Sequence, residues 1–208
     1  MATAFDDNEK ELIRKELKKA AVECLVKYGV KKTTVDEIVQ MVGISKGSFY
    51  NFYPAKEVLF FMVLEEYQKS IISKLINRLK ELDNIGVDEF TDLIYGVYQE
   101  VRKSFIMNII RNQEFEYFIK KLPKELIINH HSLDDTFTRE LFSYIKIRDD
   151  INIDIVAASL RAIFMSMIYV EEIGEYVEEI GEKEFDEVLM ILIRGVAKQL
   201  IEEDYNNE

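Results

Sequence analysis

TVDEIVQMVGISKGSFYNF, residues 34–52, carries two short helix signals separated by a single turn. Thr34 followed three residues later by Glu37 is a capping box, in which each side chain satisfies a free backbone N–H of the other's turn. Val35, Ile38, Val39 and Val42 then form an apolar stripe at helical spacing. Gly43 allows the chain to reverse with positive φ, and Ser45 is a good cap for a second helix. Two short helices joined through Val42-Gly43-Ile44 have the arithmetic of a helix-turn-helix.

The side chains divide between two tasks. Val35, Ile38, Val39, Ile44, Phe49 and Phe52 can form a small core with the preceding helix. Ser45, Lys46, Gly47, Ser48, Tyr50 and Asn51 then face outward. A helix end carrying small and polar side chains can enter a major groove and reach base edges. Gly47 removes bulk at a close approach, Lys46 and Lys56 can neutralise phosphates, and the Tyr50 hydroxyl can reach a phosphate oxygen.

On either side of this stretch the pattern is helical. Leu12, Ile13, Leu17, Ala20, Ala21, Cys24, Leu25 and Tyr28 recur at three- and four-residue steps, and Gly29 follows as a stop. Beyond it, Pro54 suits a first helical turn. The periodicity predicts further helices over 54–82, 87–105, 108–121, 123–147, 153–173 and 182–204. Only 8 glycines and 2 prolines punctuate 208 residues, and hydrophobic residues make up 48%, enough for a substantial core. The expected fold is all-α, with a three-helix DNA-binding domain at 1–53 and a larger helical domain at 54–208 for effector binding and dimerisation.

The net charge of −12 is unevenly spread: residues 1–56 carry +2 and residues 57–208 carry −14. An acidic body leaves the N-terminal face as the surface that nucleic acid can approach. No run of 18 apolar residues exists and the N-terminus lacks an apolar signal core, so a cytoplasmic protein without a membrane partner is expected. The single cysteine, Cys24, reads as a small buried hydrophobe. His130 and His131 lack the Glu-x-x-His spacing of a di-iron bundle, and no H-E-x-x-H, P-loop or nucleophile elbow is present. No catalysis, cofactor or metal is therefore expected.

Residues from about 12 to 60 resemble the DNA-binding domain of the TetR family of bacterial transcriptional regulators. The resemblance runs without a gap through Gly29, Thr33-Thr34, Ile38, Gly43, Ile44, Ser45, Gly47, Phe49, Tyr50, Tyr53, Lys56 and Leu59. Val39, Phe49 and Tyr53 stand where the family more often has Ala, Leu and Phe. The resemblance implies that Thr33 or Thr34, Tyr50 and Lys56 meet phosphates, and that Lys46, Gly47, Ser48 and Asn51 face the groove. It also implies repression of a palindromic operator by a homodimer, and release by a small-molecule effector.

The last two helices are apolar on more than one face, which requires burial on both sides. A dimeric four-helix bundle satisfies this, with Leu160, Phe164, Met167, Leu189, Leu192, Val196 and Leu200 as expected interface residues. Phe61, Tyr95, Tyr98, Phe118, Phe142, Met165 and Tyr169 stand at helical spacing where each can be core, and as a set they can line the apolar effector cavity that the resemblance implies. The alternative function is a helical interaction or ligand-binding module without specific DNA binding.

Overall fold

A computed structural model describes the backbone over residues 5–173 and 182–201, and the side chains of these except 131–135, 167–173 and 182–183. It contains ten helices among the described residues: α1 Asp7–Lys32, α2 Val35–Val42, α3 Lys46–Tyr50, α4 Lys56–Lys80, α5 Val87–Arg102, α6 Ile106–Arg111, α7 Phe115–Lys120, α8 Lys124–Phe142, α9 Ile153–Ile173 and α10 Glu182–Leu200. No described helix is long and apolar enough to cross a membrane.

Local chemistry sets the first boundaries. Asp6 and Glu9 form a capping box at the start of α1, and Thr34 and Glu37 form another at the start of α2. Gly43 ends α2 in the left-handed region at φ 76°, with its N–H donating to the Val39 carbonyl at 2.9 Å. The Ser45 hydroxyl caps α3 by accepting from the Ser48 N–H at 3.0 Å. Each device acts over three or four residues, which is why the sequence displays it.

The chain divides into two compact units, Met1–Lys69 with Ser104–Ile127, and Ser70–Lys103 with Ile128–Glu208. The first unit thus extends beyond the DNA-binding segment expected at 1–53. The cause is apolar: Ile109, Phe118 and Leu122 join the core made by Leu17, Leu25, Ile38, Phe49, Leu59 and Phe60. The expected single helix at 108–121 is also two helices, α6 and α7, broken at Gln113, whose φ is 51°.

Phe49 anchors the first core. It has no exposed surface, and its ring lies 5.4 Å from Tyr50 and 6.1 Å from Tyr53. Phe49→Ala is expected to cost about 3–5 kcal/mol in denaturant unfolding, the range for emptying a phenylalanine site that cannot collapse. A loss below about 1 kcal/mol would mean that α3 is not held through this ring.

In the second unit α10 packs against α5 and α9. Phe185, Leu189, Ile193, Ala197 and Leu200 are its buried side. The ion pair Arg102–Asp186, at 2.6 Å, and the Gln99 amide donating to Asp186 at 3.0 Å add polar ties between α5 and α10. Arg148 N–H donates to the Leu200 carbonyl at 3.1 Å, fastening the end of α10 to the α8–α9 connection.

Candidate nucleic-acid interface

Helices α2 and α3 present the residues expected at DNA, but not all of them face the solvent. Ser45, Lys46, Gly47, Tyr50 and Asn51 are exposed and Ser48 is half-buried. Tyr50 keeps 50% of its surface while its ring sits edge-on against buried Phe49. A ring braced on one side loses little rotamer freedom when its other side meets a partner. Gly47 has only the Ser45 hydroxyl within 4 Å of where a Cβ would stand, so its own fold does not require the missing side chain.

Lys46 carries the positive charge of α3, and its ammonium donates to Asp36 Oδ2 at 2.8 Å. This hydrogen bond holds the Lys46 pKa above the ordinary lysine value. Asp36 is also exposed, so the pair can open when a phosphate competes for the ammonium. Asp36 is not legible in the sequence as a partner of Lys46. Its pairing spans ten residues across a turn, a distance without a helical or strand signature.

Two of the residues expected at phosphates are turned inward in this structure. Thr33 is fully buried, and its hydroxyl donates to the Gly29 carbonyl at 2.6 Å. It is a fastener of the α1–α2 connection, and of the two threonines Thr34 is the exposed one. Lys56 is likewise turned inward. Its ammonium donates to the carbonyls of Val30 at 2.7 Å and Thr33 at 2.5 Å, and its side chain is 15% exposed. A cation on the terminal carbonyls of a helix is favourable chemistry. It also engages two of the three ammonium protons, so a phosphate would share Lys56 with these carbonyls.

The expected effector residues separate between the two units. Phe61 and Phe118 belong to the core of the first. Tyr98 and Phe142 are buried in the second, where the Tyr98 hydroxyl donates to the Leu160 carbonyl at 2.7 Å. Burial pushes the Tyr98 pKa up, so the hydroxyl remains a donor. Tyr95 is half-buried with its hydroxyl accepting from the Gln99 amide at 2.7 Å, and Met165 is exposed. The side chain of Tyr169 lies outside the described residues.

The expected dimer residues also divide. Leu189 and Leu200 have no exposed surface within the single chain, so they are core residues and offer nothing to a partner. Leu192 is exposed, and Leu160, Phe164 and Val196 are half-buried. Val188 and Ile191, not among the expected residues, are exposed beside Leu192. The side chain of Met167 lies outside the described residues.

Comparison with known proteins agrees with this geometry. Residues 17–63 match the family model described as bacterial regulatory proteins, tetR family. An uncharacterized HTH-type transcriptional regulator of Bacillus subtilis, YerO, is 26% identical over 203 residues, covering 91% of this chain and 68% of the relative. FadR of Thermus thermophilus, a TetR-family transcriptional repressor solved with lauroyl-CoA, superposes with a TM-score of 0.61 at 17% identity, covering 94% of this chain and 98% of that one. FadR of Bacillus subtilis, solved with stearoyl-CoA, gives 0.60 at 12% identity, covering 89% and 98%. The matched segment spans the last half of α1, the capped turn, α3 and the start of α4, so residues 17–63 carry the DNA-binding helix-turn-helix of the tetR family of bacterial transcriptional regulators.

Proposed function

We propose that the chain acts as a homodimeric repressor, binding a palindromic operator through α3 and leaving it when a small-molecule effector binds. The observation that carries the reading is the outer surface of α3. Ser45, Lys46, Gly47, Tyr50 and Asn51 are exposed there on a helix held from beneath by Phe49. Small and polar side chains around a lysine and a tyrosine suit both base edges and phosphates.

The dimer reading is supported by Val188, Ile191 and Leu192, an apolar strip at helical spacing on the outer side of α10. Two α3 helices related by a twofold axis would enter successive major grooves, roughly 34–36 Å apart. The effector reading is supported by structural relatives solved with acyl-CoA molecules. In this chain the second unit, around Tyr95, Tyr98, Phe142 and Met165, is the proposed place for an effector. An effector that prefers a state with wrongly spaced α3 helices would release the operator by its differential affinity alone. A cytoplasmic location follows from the same role.

Fluorescence anisotropy against DNA flanking the chain's own gene, at two salt concentrations and with nonspecific competitor, tests the reading. Lys46→Ala is expected to reduce the salt slope by about 1 for each subunit bound. Asp36→Asn is expected to act oppositely, tightening binding at low salt, because it frees Lys46 and removes a negative charge from the DNA-facing surface. Unchanged affinity in both variants would remove α3 from the interface. Binding abolished by competitor would favour a helical module without specific DNA recognition.

A further inference from the structure

Glu114 is 4% exposed and takes no part in the outer surface of α3. A carboxylate removed from water is costly unless its oxygens are hydrogen-bonded. Glu114 stands at the N-cap of α7, yet its side chain makes no bond to that helix. Its two oxygens instead accept from the N–H groups of Val30, at 2.5 Å, and Lys31, at 3.0 Å. Those amides lie more than 80 residues away in sequence, in the last residues of α1, just past the kink at Gly29 that breaks the helix before α2.

Two backbone features aim the carboxylate. Helix α6 closes in a Schellman turn, with Gln113 N–H donating to the Ile110 carbonyl at 2.8 Å and Glu114 N–H to the Ile109 carbonyl at 2.9 Å. Gln113 takes the left-handed position, at φ 51°, where glycine is usual. On the receiving side Gly29 has φ 76°, and a Cβ there would stand 2.5 Å from a Glu114 oxygen. A strained residue and a forced glycine thus meet at one contact, and strain of this kind persists where the surroundings fix it.

Lys56 grips the same stretch from its acceptor side, taking the Val30 and Thr33 carbonyls. The backbone from Val30 to Thr33 is therefore held by a carboxylate on its amides and by an ammonium on its carbonyls. Helices α2 and α3 leave α1 from this stretch, so its backbone angles set the direction of α3. We propose that Glu114 is a positioning residue for DNA recognition, fixing the Val30–Lys31 backbone and with it the angle at which α3 is presented. The inference rests on the DNA-binding reading above. Phosphate attraction tolerates a loosened angle, whereas base contacts and the spacing of two half-sites do not.

The test compares wild type with Glu114→Gln and Glu114→Ala. The probe is a duplex enriched by the wild-type chain from a random-sequence library, with a scrambled duplex of equal composition as control. Unfolding curves first define conditions where each variant is fully folded; if the alanine variant does not fold, the near-isosteric glutamine variant carries the measurement. Affinity for the enriched duplex is expected to fall roughly tenfold or more, the scale of one mismatched base pair. Affinity for the scrambled duplex is expected to stay within about twofold, since the phosphate-facing charges are untouched. The amide proton resonances of Val30 and Lys31 are expected to move upfield in the glutamine variant as the charged acceptor is lost. Equal losses on both duplexes, or moved resonances with no loss on either, would overturn the positioning role and leave the DNA-binding reading standing. A wild-type chain that enriches no sequence would overturn both.

Discussion

Glutamate in place of both Ile191 and Leu192 is expected to hold the chain as a monomer and to weaken binding to a two-half-site duplex by about a hundredfold or more. In the single chain Ile191 is 68% exposed and Leu192 is 43% exposed, while Leu189 and Ile193 of the same helix are buried. Burying a side chain of this size contributes about 1.5–3 kcal/mol. A twofold interface would use each residue twice, so the substitutions remove four such burials and place four carboxylates in an apolar contact. A monomer keeps one α3 and loses the high effective concentration of the second. Light scattering gives the mass, and anisotropy gives the affinity. A double variant that remains dimeric would place the interface elsewhere, and a monomeric wild type would end the homodimer proposal.

The second large effect is expected at Gly29. Gly29→Ala should lower stability by about 4 kcal/mol, or roughly 8–16 °C in thermal midpoint for a chain of this size. Two costs combine. A side chain at φ 76° and ψ −174° occupies a region that is essentially glycine-only, at about 1–3 kcal/mol. The added methyl would also stand 2.5 Å from the Glu114 carboxylate and 3.0 Å from the Asn112 amide. Displacing that carboxylate sacrifices charge-assisted hydrogen bonds worth about 1.5–3 kcal/mol each and leaves buried amides unpaired. Gly43→Ala is the internal comparison. Gly43 also has φ 76°, but its ψ of 29° puts it in the left-handed α region, where other residues are tolerated, and nothing lies within 4 Å of its missing Cβ. It should therefore show a smaller conformational cost and no steric one. Equal losses at the two glycines would mean that the approach of Glu114 contributes nothing to stability.

The same pair of glycines marks where reading from sequence succeeds and where it stops. At Gly43 the whole turn is local: Thr34 and Glu37 cap one helix, the glycine ends it, and Ser45 starts the next. Gly29 is legible as a helix stop, but the carboxylate that demands its missing side chain comes from Glu114. Nothing near Glu114 announces this, since Gln113 occupies a position where a glycine would have signalled the break between α6 and α7. The outward set on α3 is similarly legible, because Phe49 must point inward for the periodicity to close a core.

The amino-acid sequence by itself determined the all-helical class, the helix-turn-helix and the family that this segment matches. Capping boxes, turn glycines and apolar periodicity act within one or two helical turns, so they stand side by side in the chain. Only the tertiary structure decided that Thr33 and Lys56 face inward, that α6 and α7 complete the first core, and that Leu189 and Leu200 are buried within the single chain. An ammonium goes to the nearest buried carbonyls, and an apolar side chain to the nearest unfilled core. Which carbonyls and which core are nearest is fixed by packing between segments distant in sequence.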